Sequence, residues 1–257
     1  AVLKLSEASM TFSSSFGRTF SPTFQPKSQA AAVSSGITDP TDISNCKYWF
    51  DLSDADTMFT DNGSTKVSTD DDKIYRINDK AGNGYYLIQA TESKRPTYQT
   101  NVTGGKSAGF GVTASAQELR PGSGFNYGST GYTAFVVAAW DGTWGQNCAI
   151  GVPWSRFGVE SSGNLYSYLG AWLRSATGLV SSGNWYALSI DQTSDGVTNM
   201  YRNGTSVATG DLSNLASSKD FALFSSGGAN YFGGYIAEVV CYSGILSSSD
   251  RASVETY

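Results

Sequence analysis

The sequence contains no histidine. Without an imidazole side chain, the chain cannot form a Ser-His-Asp triad, a histidine general base or a histidine-ligated metal site. Cysteine is also scarce, and Cys46, Cys148 and Cys241 are too widely spaced for a disulfide framework or a zinc site. We therefore predict three free thiols that are partly buried in strands.

Clustered basic residues and long apolar segments are absent as well. The net charge is -5, and no group of Lys and Arg residues is dense enough to contact nucleic-acid phosphates. No apolar run approaches the roughly 20 residues that span a bilayer, and the first residues lack the pattern of a signal peptide. We expect a soluble chain with no nucleic-acid partner and no membrane association.

Aromatic residues and glycine are abundant, with 15 Tyr, 13 Phe, 6 Trp and 29 Gly. Such a composition is typical of many short strands joined by tight turns. The clearest strands begin at Trp185, where WYALSIDQ alternates and places Leu188 and Ile190 on one face. An Asp-Gly turn, a second strand from Val197 and the dipeptide Asn203-Gly204 follow, so this region predicts a three-stranded meander.

The second apolar centre is the run TAFVVAAW, which begins at Thr133. Because its hydrophobic residues are nearly continuous, it predicts a central strand covered on both faces. Near the C-terminus, Ser247 followed by Asp250 resembles a capping box and predicts a short helix. About a dozen strands are expected in two packed antiparallel sheets, among them Cys46 to Leu52, Lys73 to Ile77, Tyr85 to Ala90 and Thr97 to Val102.

Several motifs together resemble one superfamily. The hairpin MYRNG at Met200, the closing segment GGYIAEVVCYSGILSSSD from Gly233 and the opening segment YWFDLSDADT from Tyr48 are similar to concanavalin A-like and laminin-G-like jelly-roll domains of phage and bacterial surface proteins. The resemblance implies an all-β fold, an antiparallel two-sheet jelly-roll sandwich over residues 41–257. It also implies a short C-terminal helix. Residues 1–40 differ in composition, being rich in Ser, Ala, Gln, Thr and Pro, and we predict that they form an extended N-terminal arm.

The predicted arm carries four phenylalanines at every fourth position. Proline at positions 22 and 26 excludes one continuous helix through the segment. Four exposed rings on a polar arm would promote aggregation, so we expect them to be buried. Either they insert into a partner protein or a neighbouring subunit of a homo-oligomer, or the arm packs across its own domain. The four residues are Phe12, Phe16, Phe20 and Phe24.

Catalytic signals are missing. Jelly-roll glucanases of the superfamily carry two glutamates on one strand, as glycoside hydrolysis requires a close carboxylate pair. Here the glutamates are scattered, and no nucleophile elbow or phosphate-binding loop is present. The acidic run Asp70 to Asp72 with Asp79 raises the question of calcium, but it lacks an EF-hand pattern and favours a solvated acidic loop. We expect no enzymatic activity, no metal and no cofactor. The isolated glutamates are Glu92, Glu118, Glu160, Glu238 and Glu255.

Aromatic and amide side chains suited to saccharides are concentrated between Trp140 and Trp172. Rings stack on the apolar faces of pyranoses, whereas amide and guanidinium groups bond hydroxyl groups. The alternative is that these rings belong to the core, where tryptophan is usually found. The candidate ligand-binding residues are Trp144, Trp154, Arg156, Asn164 and Tyr166.

Three functions are compatible with these patterns. The first, which the arm favours, is a non-enzymatic virion structural protein on the virion surface. It would be a phage capsid decoration or tail-fibre protein, assembled in the host cytoplasm with other virion proteins and displaying a jelly roll for adhesion to a cell-surface glycan. The second is a free, extracellular carbohydrate-binding module or lectin. The third is a glycan hydrolase, which the lack of paired carboxylates disfavours.

Overall fold

The computed structural model describes residues 36–122, 131–151, 156–212 and 221–257. Phe12, Phe16, Phe20 and Phe24 of the predicted arm lie outside these ranges, as does Trp154. The described residues form four 3-10 turns, Pro40–Asp42, Ala55–Thr57, Glu92–Lys94 and Thr113–Ser115. Their strands and helix are β1 Cys46–Asp51, β2 Met58–Phe59, β3 Arg76–Asn78, β4 Tyr86–Ile88, β5 Thr97–Thr103, β6 Lys106–Gly111, β7 Arg120–Pro121, β8 Tyr132–Trp140, β9 Gln146–Gly151, β10 Arg156–Glu160, β11 Leu165–Leu169, β12 Ala171–Arg174, β13 Trp185–Gln192, β14 Val197–Arg202, β15 Thr205–Asp211, β16 Ala222–Leu223, β17 Gly234–Ser243 and α1 Ser248–Thr256.

One layer of the fold is a large antiparallel sheet. Its strand order is β15-β14-β13-β8-β17-β6-β5. β1 also belongs to this sheet, because β17 pairs with β6 through Gly234–Ile236 and with β1 through its later residues. The predicted meander is confirmed as β13, β14 and β15, and the predicted central strand is β8, which lies between β13 and β17.

The second layer consists of two smaller antiparallel sheets. β12-β11-β10-β9-β16 form one of them and β2-β3-β4-β7 the other. An antiparallel bridge between Leu119 and Leu223 joins them at β7 and β16. The all-β antiparallel sandwich is therefore confirmed, while its second layer is interrupted where the prediction had one sheet. Within the described ranges, no helix is long and apolar enough to cross a membrane.

The core lies between the two layers and follows the two-residue period of the strands. Alternate residues of β8, including Val136 and Ala138, point inward together with Leu188 and Ile190 of β13, as predicted. From the second layer, residues such as Phe157 meet them. Since both faces of β8 are covered over most of its length, its nearly continuous apolar sequence is explained.

The C-terminal helix covers part of the outer face of the large sheet. Val254 of α1 packs with Phe135 of β8 and Val240 of β17. The helix begins as predicted, because the Ser247 hydroxyl accepts a hydrogen bond of 3.1 Å from the amide of Asp250.

The residues just before the predicted domain boundary also contact this outer face. Ile37 packs against the outer cluster of Phe135 and Val240, and the Tyr242 hydroxyl donates a hydrogen bond of 2.8 Å to the carbonyl of Pro40. The sandwich thus includes residues that the sequence assigned to the arm.

The three cysteines are free thiols in strands, as predicted. Cys46 lies in β1 and is partly buried, whereas Cys148 in β9 and Cys241 in β17 are fully buried. Burial raises the pKa of Cys46 and of Cys148 to about 12. The thiols of Cys46 and Cys148 are therefore protonated at neutral pH and act as small apolar side chains.

Candidate functional site

The structure does not expose the predicted ligand-binding residues on one common surface. Trp144 lies in the loop between β8 and β9, with 88% of its surface exposed. Arg156 begins β10 and is half-buried. Asn164 and Tyr166 are only 2% and 0% exposed, so a ligand at the surface cannot contact these two side chains in this conformation.

Arg156 belongs to a layered group of side chains that we call the Arg-aromatic stack: Arg156, Tyr168, Trp172 and Arg174. Antiparallel pairing places these residues on one face of β10, β11 and β12. The Arg156 guanidinium lies 5.1 Å from the centroid of the Tyr168 ring, and that ring lies 4.5 Å from the Trp172 ring. On the other side, the Arg174 guanidinium lies 4.1 Å from the Trp172 ring.

Most polar groups around the stack bind one another. Glu160 forms two short contacts with Arg174, 2.8 Å to Nε and 2.9 Å to a terminal nitrogen, and accepts a 2.7 Å hydrogen bond from Asn164. The bond from Arg174 holds the pKa of Glu160 below its usual range. Among the described residues Arg156 has its ring contact, but its Nε is buried without a hydrogen-bond partner there. Because Arg174 is paired with Glu160 and the two rings pack on each other, the arrangement favours a stabilising role for the Trp172 side of the stack.

A different group of aromatic side chains crosses the outer face of the large sheet. Phe110 of β6, Tyr235 of β17, Ala139 of β8 and Trp185 of β13 are consecutive partners in the strand register, so their side chains share one face. The ring of Tyr235 lies 4.7 Å from that of Phe110 and 6.0 Å from that of Trp185. We call this group the aromatic row.

The aromatic row borders a cavity of about 370 Å³, which we call the outer cleft. Trp185 and Tyr235 contribute rings to its lining, and Val102, Ala139, Trp140 and Gly183 also border it. The polar lining residues are Gln99, Thr100, Asn101 and Asp141. The volume lies within the range of small-molecule sites, which combine aromatic surfaces with a few placed polar groups.

The polar wall of the cleft is an irregular part of β5. The pairing of β5 with β6 shifts register between Gln99 and Thr103, and Asn101 has a φ of 53°. Asp70 accepts hydrogen bonds from the amide and hydroxyl of Thr100, at 2.6 and 2.8 Å, and Asp71 accepts a 2.7 Å bond from the Gln99 amide. These aspartates therefore tie the wall to a neighbouring loop.

Asp141 forms the end of the cleft, where β8 leaves the sheet. Its carboxylate accepts a 2.8 Å hydrogen bond from the amide of Thr143, and its own amide donates to the carbonyl of Gly233. A Cβ atom at Gly233 would lie only 2.5 Å from the Asp141 carboxylate. Glycine at this position therefore leaves the space that the carboxylate occupies.

Some of the hydrogen-bonding atoms of the cleft are unused within the described part of the chain. The indole nitrogen of Trp185, the hydroxyl of Tyr235 and the side-chain amide of Asn101 have no protein partner there, and Gln99 uses only its amide nitrogen. None of the lining residues is cationic. The cleft thus offers two rings, hydrogen-bond donors and acceptors, and one carboxylate to a ligand.

Two carboxylates on adjacent strands invite comparison with an acid-base pair. Asp51 of β1 and Glu238 of β17 are register partners. Lys80 binds Asp51 at 2.8 Å, the indole of Trp49 donates a 2.6 Å bond to Glu238, and burial raises the pKa of Glu238 to about 7. The cavity beside Glu238 measures only about 100 Å³ and is closed in part by Tyr257, so it is too small to admit a polysaccharide.

The acidic residues considered as calcium ligands accept hydrogen bonds from the protein itself. Besides the contacts of Asp70 and Asp71, Asp72 accepts hydrogen bonds of 2.7 and 3.0 Å from the amides of Ser68 and Thr69. Asp79 accepts 2.8 and 2.9 Å bonds from the amides of Trp49 and Ala81. Over the described ranges, no group of three or more Cys, Asp or Glu side chains has an arrangement that could hold a metal ion.

Comparisons with known proteins give similarity in structure only. No protein-family model and no curated protein sequence matches the chain. Domain 4 of AbnA, a GH43 extracellular arabinanase from Geobacillus stearothermophilus solved with arabinotriose, has a TM-score of 0.54 and 16% identity. That match covers 82% of this chain and 98% of the arabinanase domain.

Two further structures share the fold. Trypanosoma rangeli sialidase has a TM-score of 0.52 at 12% identity, and the match covers 83% of this chain and 33% of the sialidase. The binding domain of botulinum neurotoxin serotype D/C has a TM-score of 0.50 at 10% identity, with 85% of this chain and 53% of that domain covered. At these identities the comparisons establish that the described chain has the β-sandwich fold of these domains.

Proposed function

We propose that this protein is a non-catalytic saccharide-binding β-sandwich and that the outer cleft is its binding site. The observation that carries the proposal is the combination in one cavity of two aromatic rings with polar side chains that keep some hydrogen-bonding atoms unused within the described chain. Trp185 and Tyr235 supply the rings, and Asn101, Gln99 and Asp141 supply the polar groups.

The chemistry of these groups matches that of a sugar. One face of a pyranose or furanose carries C–H bonds, which stack against an aromatic ring, and its rim carries hydroxyl groups. Trp185 and Tyr235 each have an apolar ring and a polar group. The amides and the carboxylate accept hydrogen bonds from hydroxyl groups, so one bound ring can satisfy both kinds of surface.

The charge of the cleft favours a neutral saccharide. Asp141 is the one charged residue among those that line the cavity, and it is anionic. An acidic sugar would place its carboxylate near Asp141 without a cation to compensate, which costs free energy. The arabinotriose bound to the arabinanase domain is a neutral oligosaccharide, which makes arabino-oligosaccharides a reasonable first probe.

The absence of catalysis is part of the proposal. The cleft contains a single carboxylate, whereas glycoside hydrolysis uses two, and the pair Asp51 and Glu238 lies elsewhere in a smaller space. Incubation with a panel of polysaccharides should release no reducing ends.

Binding is tested with the full chain by isothermal titration calorimetry. The ligands are neutral arabino-, cello- and malto-oligosaccharides, with sialyllactose and oligogalacturonate as acidic comparisons. We expect binding of at least one neutral ligand and weak or no binding of the acidic ones. Failure of every neutral saccharide to bind would contradict the proposed function, and preference for an acidic ligand would contradict the assignment of the cleft.

We also propose that residues 1–40 attach the sandwich to a larger assembly, as in a virion surface protein whose exposed domain adheres to a cell-surface glycan. The observation in favour is the sequence of the arm itself, with Phe12, Phe16, Phe20 and Phe24 in an otherwise polar segment. Burial of each phenylalanine contributes about 1.5–3 kcal/mol, and ordering a flexible segment costs about 1–2 kcal/mol per residue. Attachment therefore needs several arms acting together, as in a homo-oligomer.

The full chain carrying Phe16→Ala and Phe20→Ala tests the arm. Light scattering should show a smaller oligomer, while the melting temperature of the sandwich stays unchanged. An unchanged mass, or a large fall in melting temperature, would instead place the arm on its own domain and remove the support for a virion role. If the protein is instead secreted as a monomer that binds saccharides, the alternative of a free, extracellular carbohydrate-binding module is favoured.

A further inference from the structure

Trp144 is the most exposed of the tryptophans in the described chain. Its surface is 88% exposed, compared with 7% for Trp49, 6% for Trp140 and 38% for Trp172. Tryptophan is highly buried on average, because removing its large apolar ring surface from water is favourable. Such exposure leaves almost the whole ring accessible to another molecule.

The loop that carries Trp144 begins at the outer cleft. Asp141 lines the cleft, and Trp144 follows three residues later, so the two Cα atoms are no more than about 11 Å apart. The carbonyl of Gly145 accepts a 3.1 Å hydrogen bond from the amide of Ser161, which fixes the far end of the loop. The exposed indole therefore stands on a loop whose first residue lines the cavity.

The residues on either side of Trp144 have backbone conformations that form a tight loop. Gly142 and Gly145 have φ values of 92° and 109°, a region that other residues rarely adopt. The Asp141 carboxylate also accepts hydrogen bonds from the amide and hydroxyl of Thr143. Ordered contacts therefore support both sides of Trp144, while its own ring has no packing partner among the described residues that would hide it.

We infer that Trp144 is a second stacking site for the ligand of the outer cleft, so that the protein binds an oligosaccharide rather than a single sugar. This inference rests on the proposed saccharide-binding function. One sugar ring lies against Trp185 and Tyr235, and the chain continues past Asp141 to place a later ring on the Trp144 indole. The two contacts are linked through one ligand and reinforce each other.

The test is a chain-length series with the full protein. Arabinose to arabinopentaose and glucose to cellopentaose are titrated into the wild type, Trp144→Ala and Trp144→Tyr. We expect affinity to rise at least 10-fold from the monosaccharide to the trisaccharide or longer in the wild type. Trp144→Ala should lose that gain and keep the monosaccharide affinity within about twofold. Trp144→Tyr, which keeps a ring, should retain most of the gain.

Indole N–H signals in an NMR titration separate the two proposals. A shift of the Trp185 signal with every bound saccharide, and of the Trp144 signal only with the longer ones, supports the inference. A shift of Trp185 without Trp144, or an undiminished chain-length gain in Trp144→Ala, overturns this inference and leaves the cleft assignment standing. If no saccharide shifts either signal, both proposals fail. A change in oligomeric mass in Trp144→Ala would overturn the inference in favour of a subunit contact.

Discussion

The Arg-aromatic stack and the outer cleft contain similar side chains but differ in what those side chains contact. Both place a tryptophan and a tyrosine on the outer face of a sheet, next to polar side chains. In the stack, Trp172 packs between Tyr168 and Arg174 with 38% of its surface exposed, and Arg174 is paired with Glu160. In the cleft, the rings of Trp185 and Tyr235 face a cavity, and their polar atoms have no partner in the described chain.

The difference shows that aromatic density alone does not identify a binding surface. A polar or charged group that is already paired contributes to stability, whereas one that faces an accessible cavity can exchange water for a ligand. By this criterion we assign a stabilising role to the segment richest in tryptophan and arginine, and the less conspicuous cleft is the proposed binding site.

The largest effect that distinguishes the two regions is expected from Trp185→Ala. The substitution removes a ring from the cleft and should weaken binding of a neutral oligosaccharide by about 30-fold, corresponding to about 2 kcal/mol. Calorimetry measures the change in affinity, and circular dichroism verifies the fold. An affinity within threefold of the wild type would show that the Trp185 ring does not contact the ligand and would contradict the assignment of the binding site to the cleft.

Trp172→Ala is the matched control in the stack. Because the Trp172 ring packs on Tyr168 and Arg174, its loss should lower the free energy of unfolding by about 1–2 kcal/mol. Saccharide affinity should stay unchanged, because the ring lies on the other layer. Urea unfolding measures the free energy of unfolding, and calorimetry measures the saccharide affinity. Lost binding with intact stability would reverse the roles of the stack and the cleft.

Acid should weaken the stack through Glu160. Since Arg174 lowers the folded-state pKa of Glu160, the pair stabilises the protein above the ordinary glutamate pKa and loses this contribution as the pH falls. Arg174 is partly exposed, so solvent screening limits the contribution to about 1 kcal/mol or less. Glu160→Gln should therefore destabilise the protein at pH 7 and have little effect at pH 3. Equal destabilisation at both values would show that the ion pair is not the cause.

The smallest effect on saccharide affinity is expected from Asn101→Gly, which removes one amide from the cleft. Glycine accepts the φ of 53° without strain, so the fold should be unaffected. Loss of one or two hydrogen bonds should weaken binding about three- to tenfold. Asn203→Gly is the control, because Asn203 also has a positive φ, of 47°, and lies outside the cleft. Equal loss of affinity in both variants would contradict a direct contact by Asn101.

Local patterns explain which parts of the fold the sequence predicts. The alternation from Trp185, the turn at Asn203-Gly204 and the cap at Ser247 depend on neighbouring residues, and all three are confirmed. The two-residue strand β16 and the interruption of the second layer depend on pairing between distant segments. Sequence periodicity contains no signal for such pairing.

The candidate site shows the same limit. Exposure of Trp144 could be predicted because the residue stands next to a turn, and the structure places it at the surface. Trp185 was recognised as the start of a strand, but its partner Tyr235 and the wall at Gln99 lie far from it in the sequence. Only the register of β6, β17, β8 and β13 brings these residues together.

A crystal structure of the full chain with the neutral oligosaccharide that binds most tightly tests the central claim most directly. We predict a sugar ring against Trp185 and Tyr235, with its hydroxyl groups within hydrogen-bond distance of Asn101 or Asp141. A saccharide bound at Arg156 and Trp172, with the outer cleft empty, would contradict the account.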